Sequence, residues 1–349
     1  MDIVPYFGQL LPGLAKPARG GDGSCTPTQG QTVQSDTLRA DGGFGAGVKL
    51  RGNELFIGEP GAVGSIFAVG ECHYFSRADS SSSFTRQSGF FSPTQTNGGS
   101  FGTEIDYDGT RVVVSEPNVA QRANVFTFSE GTATSEQEIT ANTYTGGSAR
   151  FSAGLAINGS HLLIGAPNES LTVTSQGGVE YWTESGGTWT FQQAFTMNAS
   201  KAAGKIYFGG GIAMTDDATA FIGFINGSNY TVEKWTRSGT TWTFDSTAFS
   251  LTEYDVASTP IITMDTDGTN LVIGFPSHDS GGSTSNNYGA CVVVSQNGTV
   301  LTEIIGTVIG NNVGEGCSID GSEAAVGEPD DDPSSTSNAG TTSIWDICV

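Results

Sequence analysis

The sequence predicts an all-β chain: a six-bladed β-propeller of four-stranded antiparallel blades, closed by an N-terminal strand that completes the last blade. Three observations predict it. One phrase recurs six times, each copy contains a hairpin signal, and the last copy is one strand short.

The clearest copy of the phrase runs from Phe151 to Pro167, with Asn158-Gly159 seven and eight residues on and Gly165-Ala166-Pro167 at its end. Phe44 to Pro60, Phe101 to Pro117, Pro260 to Pro276 and Val313 to Pro329 fit the same frame. The copy at Phe208 carries one inserted residue and ends Gly223-Phe224. These starts give a period of about 50 to 57 residues, the range of propellers and solenoids.

Each phrase reads as a hairpin. Asp108-Gly109, Asn158-Gly159, Asp267-Gly268 and Asp320-Gly321 lie between short apolar runs such as Val112 to Val114 and Leu271 to Ile273. Asp-Gly or Asn-Gly in that setting signals a tight turn, expected here as type I′ with positive φ at both central residues. The runs are continuous rather than alternating, so the strands are expected to be buried on both faces. Gly58, Gly165, Gly274 and Gly327 end the second strands, and the proline two residues later stops the ladder.

A third strand is expected after each phrase, at Gly64 to Val69, Ala123 to Phe128, Gly178 to Trp182, Tyr230 to Trp235, Ala290 to Val294 and Thr341 to Ile347. A fourth is visible as Thr188 to Phe195 and Thr241 to Phe249. Four antiparallel strands per repeat make a propeller blade. The sixth repeat lacks its fourth strand, and Gln31 to Leu38 is expected to supply it, which removes exposed edges. The propeller then spans 29–349, and residues 1–28 form an arm outside the ring.

The phrase Phe-Gly/Ser, Asp/Asn-Gly, Ile-Gly-Ala-Pro resembles the FG-GAP repeat, over roughly residues 30 to 349. The resemblance implies the propeller head seen in integrin α chains and bacterial surface proteins, and adhesion or binding rather than catalysis. Many members carry an Asp-x-Asp-x-Asp-Gly calcium loop. Here Asp106-Tyr-Asp108-Gly109 and Asp265-Thr-Asp267-Gly268 supply two acids each, short of the six to eight oxygens calcium takes. They read first as turns and second as calcium sites. No other cofactor is expected.

Charged residues are 14% of the chain, with 36 acidic against 14 basic and a net charge of −22. That argues against nucleic acid and anionic membranes as partners. Glycine is abundant at 50 residues, a composition that suits an extracellular or particle-surface β protein. The first residues lack a basic segment and an unbroken apolar core, so they do not read as a secretory signal, and no stretch reaches transmembrane length. The arm reads either as a tail or as a docking segment that inserts Ile3, Tyr6, Phe7, Leu10 and Leu11 into a partner.

Among five cysteines, Cys25 and Cys348 flank the closing strand pair and are the first candidate bridge; Cys291 and Cys317, on neighbouring blades, are the second. Asn-x-Ser/Thr occurs at Asn158, Asn168, Asn198, Asn226, Asn229 and Asn297, mostly as expected by chance in such a composition.

Two constellations are candidate binding sites. The residues before the phrase-ending position are Glu59, Glu116 and Glu328 in blades one, two and six, with Asp330, Asp331 and Asp332 beside the last. They read as a solvated acidic rim or as a site for a cation or basic partner. Trp182 and Trp189, and Trp235 and Trp242, form two outer hairpins, read as structural aromatic pairs or as sugar-stacking platforms.

No catalytic residues are assigned. The chain has no Gly-x-Ser-x-Gly elbow, phosphate loop or His-Glu-x-x-His, and its three histidines fall in different blades. The sequence thus points to a non-enzymatic binding or assembly module on an exterior surface, first as a virion spike or capsid component docked by its arm and binding a receptor or glycan. The alternatives are a microbial adhesin or matrix propeller, then a polysaccharide-active enzyme.

Overall fold

A computed structural model of the chain describes residues 26–62, 69–171, 174–198, 206–254, 256, 262–279 and 286–349. The arm residues Ile3, Tyr6, Phe7, Leu10 and Leu11, and Cys25, lie outside the described residues.

Strand β1 (Thr28–Val33) comes first in the chain but belongs to the last blade. Blade one is β2 (Val48–Arg51), β3 (Glu54–Glu59), β4 (Glu71–Ser76) and β5 (Thr85–Phe90). Blade two is β6 (Ile105–Tyr107), β7 (Arg111–Glu116), β8 (Arg122–Ser129) and β9 (Thr132–Thr140). Blade three is β10 (Gly154–Asn158), β11 (His161–Gly165), β12 (Val179–Ser185) and β13 (Thr188–Phe195). Blade four is β14 (Ile212–Met214), β15 (Thr219–Asn226), β16 (Asn229–Ser238) and β17 (Thr241–Leu251). Blade five is β18 (Met264–Thr266), β19 (Asn270–Phe275), β20 (Ala290–Ser295) and β21 (Val300–Ile305). Blade six is β22 (Cys317–Asp320), β23 (Glu323–Glu328) and β24 (Thr341–Asp346), with β1 as its outer strand. All strand pairings within the blades are antiparallel, and each inner strand contacts the inner strands of both neighbours. The fold is the six-bladed propeller that the repeat predicts.

Three details differ from expectation. The closing strand is Thr28–Val33, pairing Val33 with Thr342, rather than Gln31 to Leu38. Ser35 has already left the sheet and turns its hydroxyl to Glu59. The third strand of blade one is Glu71–Ser76, not Gly64 to Val69, of which 64–68 lie outside the described residues. It begins only after Gly70, which sits at φ 86° against the backbone of Phe101 in blade two.

The third detail is the turn. Asn158 pairs with His161 in the ladder, so Gly159-Ser160 are the central residues and only the glycine has positive φ. Blades one and six repeat this with Gly52-Asn53 and Gly321-Ser322. Glycine alone at the first central position is the type II′ pattern, not type I′.

The repeat also explains how blades meet. Phe44, Phe101, Phe151 and Phe208 are fully buried at the blade boundaries. The residue after the aromatic, Gly209, places its carbonyl against Gly165 of the preceding blade, 1.9 Å from where a Cβ would stand. Gly58 with Gly102, Gly274 with Gly314 and Gly327 with Gly45 repeat the contact at 1.8 to 1.9 Å. The glycine that reads as a strand end is therefore a blade-to-blade joint, where any side chain would prise two sheets apart.

Candidate functional sites around the ring

The inner strands present one residue each at a common level: Lys49, Asp106, Ala156, Ala213, Asp265 and Ser318. The buried Lys49 ammonium lies 2.8 Å from Asp106 and 2.6 Å from Asp265. Burial alone would lower its pKa, but the fields of Asp106 and Asp265 outweigh that and raise it, so the ammonium stays charged. The other oxygens of these acids are taken by the following blade. The Ile157 amide donates to Asp106 at 2.7 Å, and the Ser318 hydroxyl and Ile319 amide donate to Asp265.

Asp108 and Asp267 cap their own turns, each accepting two backbone amides at 2.7 to 2.8 Å. Asp108 also accepts the amide of Gly159 in blade three at 3.1 Å. The calcium reading of Asp106, Asp108, Asp265 and Asp267 is therefore corrected. The pairs lie in different blades, Lys49 supplies the cation between Asp106 and Asp265, and backbone amides with the Ser318 hydroxyl take the other oxygen of each of those two acids. This donor set does not fit calcium.

A cavity of about 320 Å³ opens beside this level, walled in part by Lys49, Arg51, Asp106, Asp108 and Asp265. Two strand steps from Asp106, Glu104 is buried with its Oε2 unpartnered. Burial raises its pKa strongly, Asp106 and Asp265 add to that, and Lys49 opposes it.

The acidic rim turns inward. Glu59 and Glu116 are fully buried rather than solvated. Glu59 accepts from Ser35 at 3.1 Å, Arg39 at 2.9 Å and the His73 Nε2 at 2.8 Å. Glu116 accepts from Ser92 at 2.9 Å and Arg122 at 2.7 Å. In blades three and four the carboxylate stands on the third strand instead, opposite Ile164 and Ile222, two steps inward from the phrase end. Glu180 accepts the amides of Asn142, Thr143 and Tyr144, and Glu233 accepts that of Asn198. In these four blades, then, a carboxylate sits under the loop arriving from the preceding blade and ties it down. The sequence marks two of the four, Glu59 and Glu116, because only those precede the phrase end.

Glu328 differs. It is partly exposed, and its partners are Ser343 at 3.2 Å and Asn311 at 3.5 Å. Burial raises its pKa, Asp331 adds to this, and the two hydrogen bonds oppose it. Asp331 accepts from Asn311 and Thr341, Asp330 from Asn312, and Asp332 caps the amide of Asn338.

A cluster that sequence spacing did not reveal lies in blade one: Glu59, Glu71 and His73, all buried, with ligand-type atoms within 4.8 Å of one another. Guanidinium groups already serve it. Arg39 reaches Glu59, while Arg86 donates to Glu71 at 3.0 Å and to the His73 Nδ1 at 3.2 Å. With two arginines against two glutamates the charge balances, so the cluster reads as an internal ion network.

The tryptophans are corrected too. Trp182, Trp189, Trp235 and Trp242 are all buried, so none offers a face to a sugar. The indoles of Trp182 and Trp235 donate to Glu180 and Glu233. Trp189 and Trp242 join blades through a two-way clamp. The Trp242 amide donates to the Gln193 side chain at 2.7 Å, which returns a bond to the Trp242 carbonyl at 3.0 Å. Gln137 does the same for Trp189. Gln31, in the closing strand, does it for Phe84 in blade one.

Cys348 is disulfide-bonded, while Cys72, Cys291 and Cys317 are free and buried. The Cys291–Cys317 bridge is thus corrected: the two thiols sit together unoxidised in the core between blades five and six.

No protein-family model and no curated protein matches the chain. Among solved structures, it is similar to a candidate 6-phosphogluconolactonase from Bacteroides uniformis, at 10% identity over 81% of this chain and 77% of that one, TM-score 0.47. The WD40 domain of Toxoplasma gondii coronin matches at 6% identity over 88% and 71%, TM-score 0.44. Likenesses this distant carry no argument about function, and the fold rests on the strand pairing itself.

Proposed function

We propose that this chain is a non-catalytic binding or assembly module of the FG-GAP kind, working on an exterior surface as a virion spike or capsid component or as a microbial adhesin. One observation carries the non-catalytic reading. Eight of the acids and aromatics that a sequence reading nominates are spent on joining blades: Asp106 and Asp265 on Lys49, Glu59 and Glu116 on arginines, and the four tryptophans on neighbouring sheets. Hydrolysis of a polysaccharide needs two carboxyl groups facing a substrate cleft. The exterior placement is supported by the disulfide at Cys348, a bond that persists in oxidising compartments, and by the charge of −22 on a glycine-rich β chain.

The test is a structure of the protein in its native assembly with residues 1–28 traced. An arm ordered against another structural protein, with the ring projecting outward, is the expected result. A free ring with an unattached arm overturns docking and leaves the adhesin reading. Turnover of a polysaccharide, abolished by one acidic substitution that leaves the fold intact, overturns both.

A further inference from the structure

Blades one, two and six end their second strand in glutamate, and the first two show what that position holds. Glu59 receives the Arg39 guanidinium and the Ser35 hydroxyl; Glu116 receives Arg122 and Ser92. Both serines stand two residues beyond an outer strand, after Val33 and Phe90. Two residues beyond Ile305, the end of β21, the same step is Thr307. It is exposed and lines a cavity of about 640 Å³ between blades five and six, with Glu328 and Asp331 in the same wall. Among the described residues, no basic side chain pairs with either acid. Blade six thus keeps the carboxylate of blades one and two, adds a second, and lacks the guanidinium.

A second feature comes from the tryptophan frame. Trp182 and Trp235 stand opposite Phe191 and Phe244 in the ladder, and those rings pack on them at 5.6 and 6.0 Å. The equivalent Trp345 stands opposite Gln29, so among the described residues no aromatic covers it, and it lines the cavity. Its indole donates to Ser343 at 2.8 Å, which fixes the plane of the ring. Val308, also in the lining, and Ile309 beside it are exposed at 55% and 63%, and give the mouth an apolar lip.

We propose that this cavity is a receptor pocket for the arginine side chain of a partner protein. The planar guanidinium bridges Glu328 and Asp331 and stacks on Trp345, while the flanking peptide rests on Val308 and Ile309. The inference rests on the reading of the chain as a binder and names the chemistry its partner presents.

Isothermal titration of the full chain with N-acetyl-L-arginine amide tests it, with the neutral isostere N-acetyl-L-citrulline amide as control. The arginine probe is expected to bind saturably and to change tryptophan fluorescence, and the citrulline probe to do neither. Glu328→Gln and Asp331→Asn should each weaken binding by at least roughly tenfold. Asp331→Asn keeps the proposal testable if Glu328→Gln fails to fold. Equal binding of both probes, or no binding to the full chain, overturns it. Binding that appears only in the double variant Lys16→Ala, Arg19→Ala shows that the chain's own arm fills the pocket, and overturns the partner as occupant. A protein that still joins its native assembly while ignoring the arginine probe refutes the pocket and leaves the proposed function standing.

Discussion

At the residue scale, the informative groups are charges drawn away from full contact with water. Lys49 is the tethered cation of the inner ring, held by acids from two different blades. Removing one partner of a buried ion pair leaves an uncompensated charge and costs about 3–5 kcal/mol. Lys49→Met is therefore expected to lower unfolding free energy by about that amount in urea titrations, and a loss below about 1 kcal/mol would place the pair in the weak class of surface bridges. Glu315 gives the pH dependence. Burial raises its carboxyl to about 7, Asp330 adds to this, and Arg150 offsets it. A carboxyl whose folded pKa lies above its unfolded value contributes stability at low pH, and that contribution is lost as pH rises from the ordinary glutamate range to about 7. Glu315→Gln, which mimics the protonated form, should melt with the wild type at acidic pH and above it at alkaline pH. The opposite order would mean that the attraction of Arg150 governs the site.

At the element scale, the blade boundary decides what each repeat must keep. A Cβ on Gly165 would stand 1.9 Å from the Gly209 carbonyl, while one on Gly159, at the hairpin tip, meets nothing within 4 Å. Gly165→Ala is thus expected to cost about 3 kcal/mol or to prevent folding, because two backbones must separate. Gly159→Ala should cost only about 1–2 kcal/mol, the strain of its φ of 58°. Parallel thermal melts of the two variants check this, and equal losses would remove the joint as the reason for the repeat. The strands themselves were readable, because β-branched runs and glycine turns are local signals. The partners of their side chains were not. Glu180 and Glu233 do the same work as Glu59 and Glu116 from the neighbouring strand, at the ladder level of His73 and Asn124, and only their bonds to loop amides reveal that equivalence. The tryptophans misled for the same reason: an aromatic on an outer hairpin looks exposed until the neighbouring blade covers it.

At the scale of the whole molecule, a ring has one place where covalent continuity stops, and three devices meet there. Strand β1 pairs with β24, Gln31 clamps Phe84 of blade one, and Cys348 is disulfide-bonded just past the last strand. Closure was legible in the sequence because the sixth repeat is one strand short, yet the closing strand ends at Val33, since the next residues are needed to hold Glu59. With no gap between blades, opening any boundary exposes two sheets at once, so the ring should unfold in a single transition. The disulfide acts on that transition by limiting the chain freedom gained when the closing blade opens. Cys348→Ser is therefore expected to lose about 2–5 kcal/mol, and the wild type should lose the same amount in reductant. The variant itself should not respond to reductant, because Cys72, Cys291 and Cys317 are already free thiols. If calorimetry instead finds an unchanged melting temperature for Cys348→Ser, strand pairing and the Gln31 clamp hold the ring without help from the bond at Cys348.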